Sequence, residues 1–430
     1  MRRFRIITSL LAILIANVAL RAENGMNSPY TRYGLGQLSS METGTNKGMG
    51  GTGIGLRNSN QINLLNPASY SSVDTLTFLM DIGLSLHNAN FSEGNMKMNA
   101  RNTTFDYFAI QYRLMPKLGM SLGLMPISNI GYNYSNSTII NKGDGTNNGE
   151  DQINSTNVYY GNGGLRQIVM GLGWEPIQGL SVGANFSYIY GEIYHYIHNQ
   201  YNDPAINTMT KQYSTDITTY KIDLGVQYQF VSGKSRYTLG ATYALGHPID
   251  DVAYIQTMMT SGTSTTANIK KDTVPSFSIP TELGAGISYN YDNRLTIAAD
   301  YSMQQYSRVK FFDMPGADRH RASLGVEYTP NSLHRNLFKR AHYRAGLHYS
   351  TSHFMIQHDA GYTKGPHEYG ISVGIGLPIM NRYNNKTIIN ISGQAVRVEP
   401  QVPGMITENY LRLNIGLSFN ERWFDKWRIE

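Results

Sequence analysis

The sequence predicts an all-β fold, a 14-stranded antiparallel transmembrane β-barrel with an N-terminal plug (hatch) segment. The first observation is a long strict alternation. From Tyr220 to Phe230 one face carries Tyr220, Ile222, Leu224, Val226, Tyr228 and Phe230, and the other Lys221, Asp223, Gly225, Gln227 and Gln229. A half-buried strand of a soluble protein runs about five or six residues, whereas a membrane-crossing strand needs about nine to eleven. The second is composition. Charged residues make up 15% and aromatics 11%, with 31 tyrosines, against about 25% charged in an ordinary soluble domain. The third is a rhythm of short and long connections, as an outer-membrane barrel shows.

In chain order, Met1-Arg2-Arg3-Phe4-Arg5 is a basic start, Ile6 to Ala16 an apolar core, and Ala19-Leu20-Arg21-Ala22 a cleavage-like end. Residues 1–22 therefore read as a signal peptide, with the mature chain starting near Glu23. The apolar run falls short of the ~18 residues of a spanning helix. The chain has no cysteine, so it offers neither disulfides nor a lipid attachment point.

Residues 23–75 are assigned to the plug. Their centre is Thr43 to Ala68, with Gly44, Gly48, Gly50, Gly51, Gly53 and Gly55 and the closing turn Asn66-Pro67-Ala68. Glycines at this density suit irregular backbone at close quarters, anchored by an Asn-Pro turn. Gly48-Met49-Gly50-Gly51-Thr52-Gly53 formally matches G-x-G-x-x-G, but it lacks the preceding strand, the following helix pattern and a Walker lysine, so a nucleotide site is rejected.

Residues 76–419 form the barrel on this reading. Fourteen strands are expected at 76–86, 104–114, 119–134, 165–174, 180–194, 217–230, 237–247, 278–291, 295–307, 320–328, 341–350, 368–377, 386–397 and 410–419. Short links such as Met115-Pro116-Lys117-Leu118 and Asp292-Asn293-Arg294 alternate with polar loops at 135–164, 195–216 and 248–277. The N-terminal stretch and the tail at 420–430 then both fall on the short-turn, periplasmic side. In the tail, Trp423 and Trp427 lie four residues apart beside Phe424. They would share one face of a short helix, as a dock for a periplasmic partner or an anchor at lipid headgroups.

Several segments resemble the long-chain fatty-acid transporter (FadL/TodX-like) outer-membrane family. Asn66-Pro67-Ala68 is similar to that family's NPA-ended hatch. Ile279 to Tyr289 running into Asp300-Tyr301-Ser302, and Tyr343-Arg344-Ala345-Gly346 with Gly374-Ile375-Gly376-Leu377-Pro378, resemble its strand pairs. The resemblance implies a fourteen-stranded plugged barrel that takes hydrophobic compounds and releases them sideways at a kink in the third strand. Here that strand holds Leu122-Gly123-Leu124-Met125-Pro126. A proline removes a ladder hydrogen bond, so Gly123 and Pro126 join Asn66, Pro67 and Ala68 as a candidate ligand path. An ordinary bulge or strand end is the alternative.

His195 and His198 are expected in a loop, without the carboxylates a metal site would add. Lys221, Asp223, Glu282, Asp300, Glu327, Arg344 and Arg412 point inward by alternation, as do His342 and His348. The bland account is pairing with one another and with plug groups such as Arg57 and Asn66; a polar solute path is the sharper one. No G-x-S-x-G, H-E-x-x-H or serine-histidine-aspartate set is placed, so no enzyme, cofactor or metal is expected. The net charge is +6 without a basic run interleaved with aromatics, which argues against nucleic acid. The expected location is the outer membrane of a Gram-negative bacterium, with its lipid as surroundings. The expected function is passive uptake of a hydrophobic small molecule through the plugged barrel with a lateral opening; the alternative is a non-transporting barrel subunit of an outer-membrane assembly or secretion complex with envelope protein partners.

Overall fold

The computed structural model describes residues 26–141, 152–203, 205–249, 251–260, 267–275, 277–312, 314–358, 361–380 and 386–422. Fourteen antiparallel strands form its wall. They are β1 (Thr77–Glu93), β2 (Met96–Met115), β3 in two arms (Leu118–Pro126 and Ser128–Asn141), β4 (Gln152–Ile177), β5 (Leu180–Tyr201), β6 (Thr208–Ser232) and β7 (Ser235–Ala244). Then follow β8 (Glu282–Tyr291), β9 (Leu295–Gln304), β10 (Arg319–Tyr328), β11 (His342–Ser350), β12 (His367–Met380), β13 (Lys386–Glu399) and β14 (Thr407–Arg422). Pairing of β1 with β14, from Thr77 opposite Arg422 to Ser92 opposite Thr407, closes the sheet. Closure removes the sheet edges that lipid would leave unsatisfied.

Alternation sets the two faces. On β6, Leu224, Val226 and Tyr228 are 44%, 39% and 49% exposed and face outward, while Asp223 and Gln227 are 7% and 0% exposed. Long apolar side chains ring the outside on every side of the barrel, among them Trp174, Phe186, Leu283, Leu324, Leu347 and Leu413. The short connections hold as expected, with positive φ at Lys117, Asp292 and Asn293 where the chain turns within a few residues.

Each expected strand is present, but the long-loop side differs. Much of what reads as loop at 135–164 and 195–216 is sheet: β3 continues to Asn141, β4 begins at Gln152, β5 runs to Tyr201 and β6 begins at Thr208. A further hairpin, Val252–Thr260 with Ala267–Pro275, pairs along the top of β6. The physical reason is solvent. Beyond the bilayer no lipid imposes an apolar outer face, so the ladder goes on without the apolar alternation by which it is recognised. His195 and His198 accordingly sit on β5 rather than in a loop. The reverse error occurs at 245–247 and 278–281, where the strands stop and His247–Pro248 pairs with Ser278–Ile279 in a small separate ladder.

Residues Met26 to Asp74 touch inward-facing positions around the whole wall, from Tyr107 on β2 and Asn185 on β5 to Asp300 on β9 and Ser372 on β12. This inner segment is mostly irregular, with the turn Pro29–Arg32, the short helix Gly44–Gly48 and the turn Pro67–Ser72. Its course corrects the expectation that the stretch stays on the short-turn side. Ser28 donates to Glu408 and Tyr30 to the carbonyl of Ile406, both at the long-loop end of β14. The segment then descends, and Arg57 to Asn60 and Asp74 reach the short-turn side, where Arg57 meets Glu175 and Asn60 accepts from Asn420. Its fit against the wall is close. A Cβ on Gly183 of β5 would stand 2.4 Å from the carbonyl carbon of Pro67, and one on Gly173 of β4 would stand 2.4 Å from the Pro67 carbonyl oxygen.

Gly183→Val is therefore expected to displace the Pro67 turn at a cost of about 1–3 kcal/mol. Thermal unfolding should shift downward, and limited proteolysis should cut the inner segment sooner, while the barrel stays heat-modifiable on gels. Unchanged protease resistance would contradict this packing.

Candidate functional site: the inner segment and the wall beside it

The side chains expected to point inward form the cradle of the inner segment. Asp300 accepts from the backbone N–H of Gly53 (2.5 Å) and of Ile54 (2.8 Å). Arg57 pairs with Glu175, near the short-turn end of β4, at 2.7 Å and donates to Ser181 and Ser71. Lys221 bonds Asp223 at 3.0 Å and also Glu282. Arg344 pairs with Glu327 at 2.6 Å, His342 lies 3.3 Å from the same carboxylate, and His348 lies 3.1 Å from Glu368. The pairing account of these charges is what the geometry supports. Arg412 is the exception. Its guanidinium lies over the Tyr410 ring, with two buried nitrogens unpaired.

Glu42 and Lys47 lie on the inner segment and were not singled out by the sequence. Glu42 meets Arg321 of β10 at 2.7 Å. Burial alone would push its carboxyl up, but Arg321, with His348 and Lys47 behind it, holds it below the usual carboxylate range. Lys47 meets Asp106 of β2 at 2.6 Å.

Asp106 marks an irregularity. Opposite β1 the register steps from Gly83–Tyr107 to Leu84–Phe105, so Asp106 is the extra residue of a bulge. Just there the wall changes partners. The lower arm of β3 pairs with β2 up to Leu124 opposite Phe108. Above it, among the described residues, the upper arm of β3 pairs with β4 on one side and with the two-residue strand Gln37–Leu38 of the inner segment on the other. β2 from Met96 to Phe105 pairs with β1 alone. Ile127 separates the two arms; its N–H donates to Leu165 and its carbonyl accepts from Ser39. Thr31 donates to and accepts from the backbone of Gly131, and Asn27 reaches Asn102 on β2. The inner segment thus lies along this seam.

Of the predicted path residues, Gly123 and Pro126 lie on the lower arm at the seam. Pro126 is its last residue, paired with Arg166, so a proline at a strand break is what the structure contains. Asn66, Pro67 and Ala68 sit elsewhere, against Gly183 and Gly225 on β5 and β6. Asn66 caps the Pro67 turn by accepting from Ala68 and donates to the carbonyls of Ile54 and Val226. The structure does not bring the two sets together. Trp423, Phe424 and Trp427 lie outside the described residues. His195 lies 2.8 Å from the Tyr132 hydroxyl and His198 2.9 Å from that of Thr210, in separate pairs. Among the described residues, no group of three or more His, Asp or Glu is placed to hold a metal.

Three cavities bear on function. One of about 180 Å³ opens at the seam and is lined by Lys47, His87, Asp106, Pro126, Arg321 and Arg412 among others. A second, also about 180 Å³, sets Leu35, Ile127 and Ile189 against Lys221, Glu282 and Arg319. The largest, about 1670 Å³, is the short-turn mouth beneath the inner segment, lined by polar groups including Arg57, Asn58, Asp74, Arg113 and Glu175.

Closed wall, inward charges and inner segment together define a Gram-negative outer-membrane β-barrel of FadL-like architecture. Similar solved structures include the CymD monoaromatic hydrocarbon channel (14% identity, 91% of this chain and 100% of that one, TM-score 0.61). A Pseudomonas aeruginosa FadL homologue matches at 10% identity over 90% of this chain and 99% of its own, TM-score 0.61. The Pseudomonas putida toluene transporter TodX matches at 15% over 89% and 98%, TM-score 0.57. At such identities the likeness is one of fold. A search of curated proteins gives no match. The family model described as BamG matches residues 3–430, and the chain belongs to that family.

Arg321→Met should leave Glu42 buried and unpaired, destabilising the docked inner segment by about 3 kcal/mol. With the lowered Glu42 carboxyl, the wild-type contribution is present above the ordinary carboxylate range and is lost as pH falls through the lowered value. The check is inner-segment proteolysis against pH. The variant should be labile already at neutral pH, and Glu42→Gln added to it should restore most of the protection.

Proposed function

We propose that this chain is a closed, non-transporting barrel subunit of an outer-membrane protein assembly. The observation that carries the reading is the small size of the space in its upper lumen, above the polar short-turn mouth. Pockets for small ligands usually measure about 300–1,000 Å³ and are mostly apolar. The two cavities in the upper lumen are about 180 Å³ each, below that range, and charged groups such as Lys47, Asp106, Lys221 and Glu282 line them. Other apolar side chains there, among them Ile130, Ile217 and Phe277, are buried against one another. Membership of the BamG family is compatible with a place in an envelope complex. The barrel's part would be structural: a rigid wall, braced by its N-terminal plug, offering its rims and tail to partners.

A second reading rests on the seam. The break at Pro126 and Ile127, beside a cavity that touches both β2 and β3, is where a lateral opening for a hydrophobic compound would lie. The fold shared with TodX, a toluene transporter by its description, favours it.

Native mass spectrometry of the protein extracted from its own membrane in mild detergent separates the two. The expected result is a defined complex with other envelope proteins. Deleting residues 420–430 should weaken that complex if the aromatic tail is the dock. In proteoliposomes, toluene uptake no faster than with empty vesicles is expected. Uptake above that level, reduced by Pro126→Val, would overturn the subunit reading in favour of the second.

A further inference from the structure

Among the described residues, the seam leaves two strand edges without a partner strand. On the upper arm of β3, the residues whose backbone faces away from β4 are fixed by what already binds there. Ile127 accepts from Ser39, Asn129 stands opposite Gln37, and Gly131 exchanges hydrogen bonds with the Thr31 hydroxyl. Continuing by two, the N–H and C=O of Asn133, Ser135 and Ser137 face the same edge. Among the described residues no strand pairs with them there, and none pairs with the seam side of Met96 to Phe105 on β2. Proteins usually blunt such edges with proline, bulges or short strands. Neither edge contains a proline. The apolar side chains beside them are exposed: Met96 and Met98 at 69%, Ile139 at 64% and Ile140 at 46%.

We infer that this seam is an acceptor for an extended polypeptide strand of another protein, which continues the pairing that Gln37–Leu38 begins. The occupant follows from the chemistry. The lower part of the edge is already filled by two residues of extended backbone and one hydroxyl from the inner segment, so its recognition mode is strand addition. An acyl chain brings no amide donors or carbonyl acceptors for Asn133, Ser135 and Ser137. A strand with alternating apolar residues brings both, and its apolar face covers Met98 and Ile140. Pairing does not depend on sequence, so the seam accepts strands by pattern rather than by a fixed motif. This deepens the assembly reading by naming a surface on which another envelope protein is held.

The test uses the full chain in detergent, with benzoylphenylalanine in place of Met98 or Ile140. The probe is a synthetic ten-residue peptide of alternating apolar and polar residues, compared with the same peptide N-methylated at every second amide. The unmodified peptide should cross-link at both positions. N-methylation should weaken binding roughly tenfold or more, the effect of two or three lost hydrogen bonds. Ser135→Pro with Ser137→Pro, which removes donors only from the free edge, should weaken it similarly while the barrel stays heat-modifiable. Equal binding of both peptides, no effect of the proline pair, or cross-links only to lipid or to a second copy of this chain would overturn the proposal. The assembly reading fails separately. If native mass spectrometry shows the complex intact in the proline variant, the seam is not its dock but the assembly stands. If the peptide binds by strand addition to a barrel that is alone in its membrane, the seam stands and the assembly does not.

Discussion

Backbone satisfaction of a segment enclosed by lipid-facing walls governs this molecule. A wall strand meets its needs through its two neighbours, but the inner segment has little regular structure to do so. The wall supplies the partners instead. Asp300 takes the N–H groups of Gly53 and Ile54, and Gln227 donates to the carbonyls of Ile54 and Leu56. Ser372 accepts from Gly50 and donates to Gly48, the Tyr107 hydroxyl accepts from Gly44, and Gln394 donates to Lys47. Inward polarity is therefore the complement of an irregular chain that has to be held in one place. It does not require a watery pore.

The charges obey the same constraint at higher stakes. A buried carboxylate or guanidinium without a partner costs several kcal/mol. Arg344 with Glu327, Arg57 with Glu175 and Arg321 with Glu42 meet this in pairs, two of which join the inner segment to the wall. These pairs set where the segment sits as much as how firmly it is held, because a shift of one turn would strand both partners.

What was legible in the sequence follows from where the bilayer lies. All fourteen membrane-crossing segments announce themselves, since lipid on one face and a polar lumen on the other impose alternation on stretches such as 220–230 and 283–291. The upper parts of β3 to β6 do not, because stretches such as Asn133 to Asn141 and Thr208 to Asp216 are largely polar and carry no sustained apolar alternation. Inward charges such as Glu327 and Arg344 could be read as a set, but their pairing is a matter of neighbouring strands: Glu327 lies opposite Arg344 across the β10–β11 ladder. Pro126 was visible as a strand breaker. Asp106 was not, because one extra residue within Thr104-Phe105-Asp106-Tyr107-Phe108 reads as a polar residue in an ordinary strand, and only the register opposite Gly83 and Leu84 exposes the bulge. The wall partner of Asn66, the carbonyl of Val226, lies 160 residues along the chain, beyond the reach of any local pattern.

The seam then has a structural logic independent of what passes it. Below Phe108 the wall is fully paired, and that is where acyl chains would make a gap costly. Above it, the bulge at Asp106 and the break at Ile127 turn the two strands apart while β1 and β4 continue on either side. The inner segment fills the lower end of the gap with backbone from Gln37 to Ser39 and with Thr31. Had the chain needed only a sealed wall, pairing β2 directly with the upper arm of β3 would have satisfied both edges without help. That they are held apart, with the chain's own N-terminal residues in the angle between them, makes the occupancy of this edge the variable part of an otherwise closed barrel.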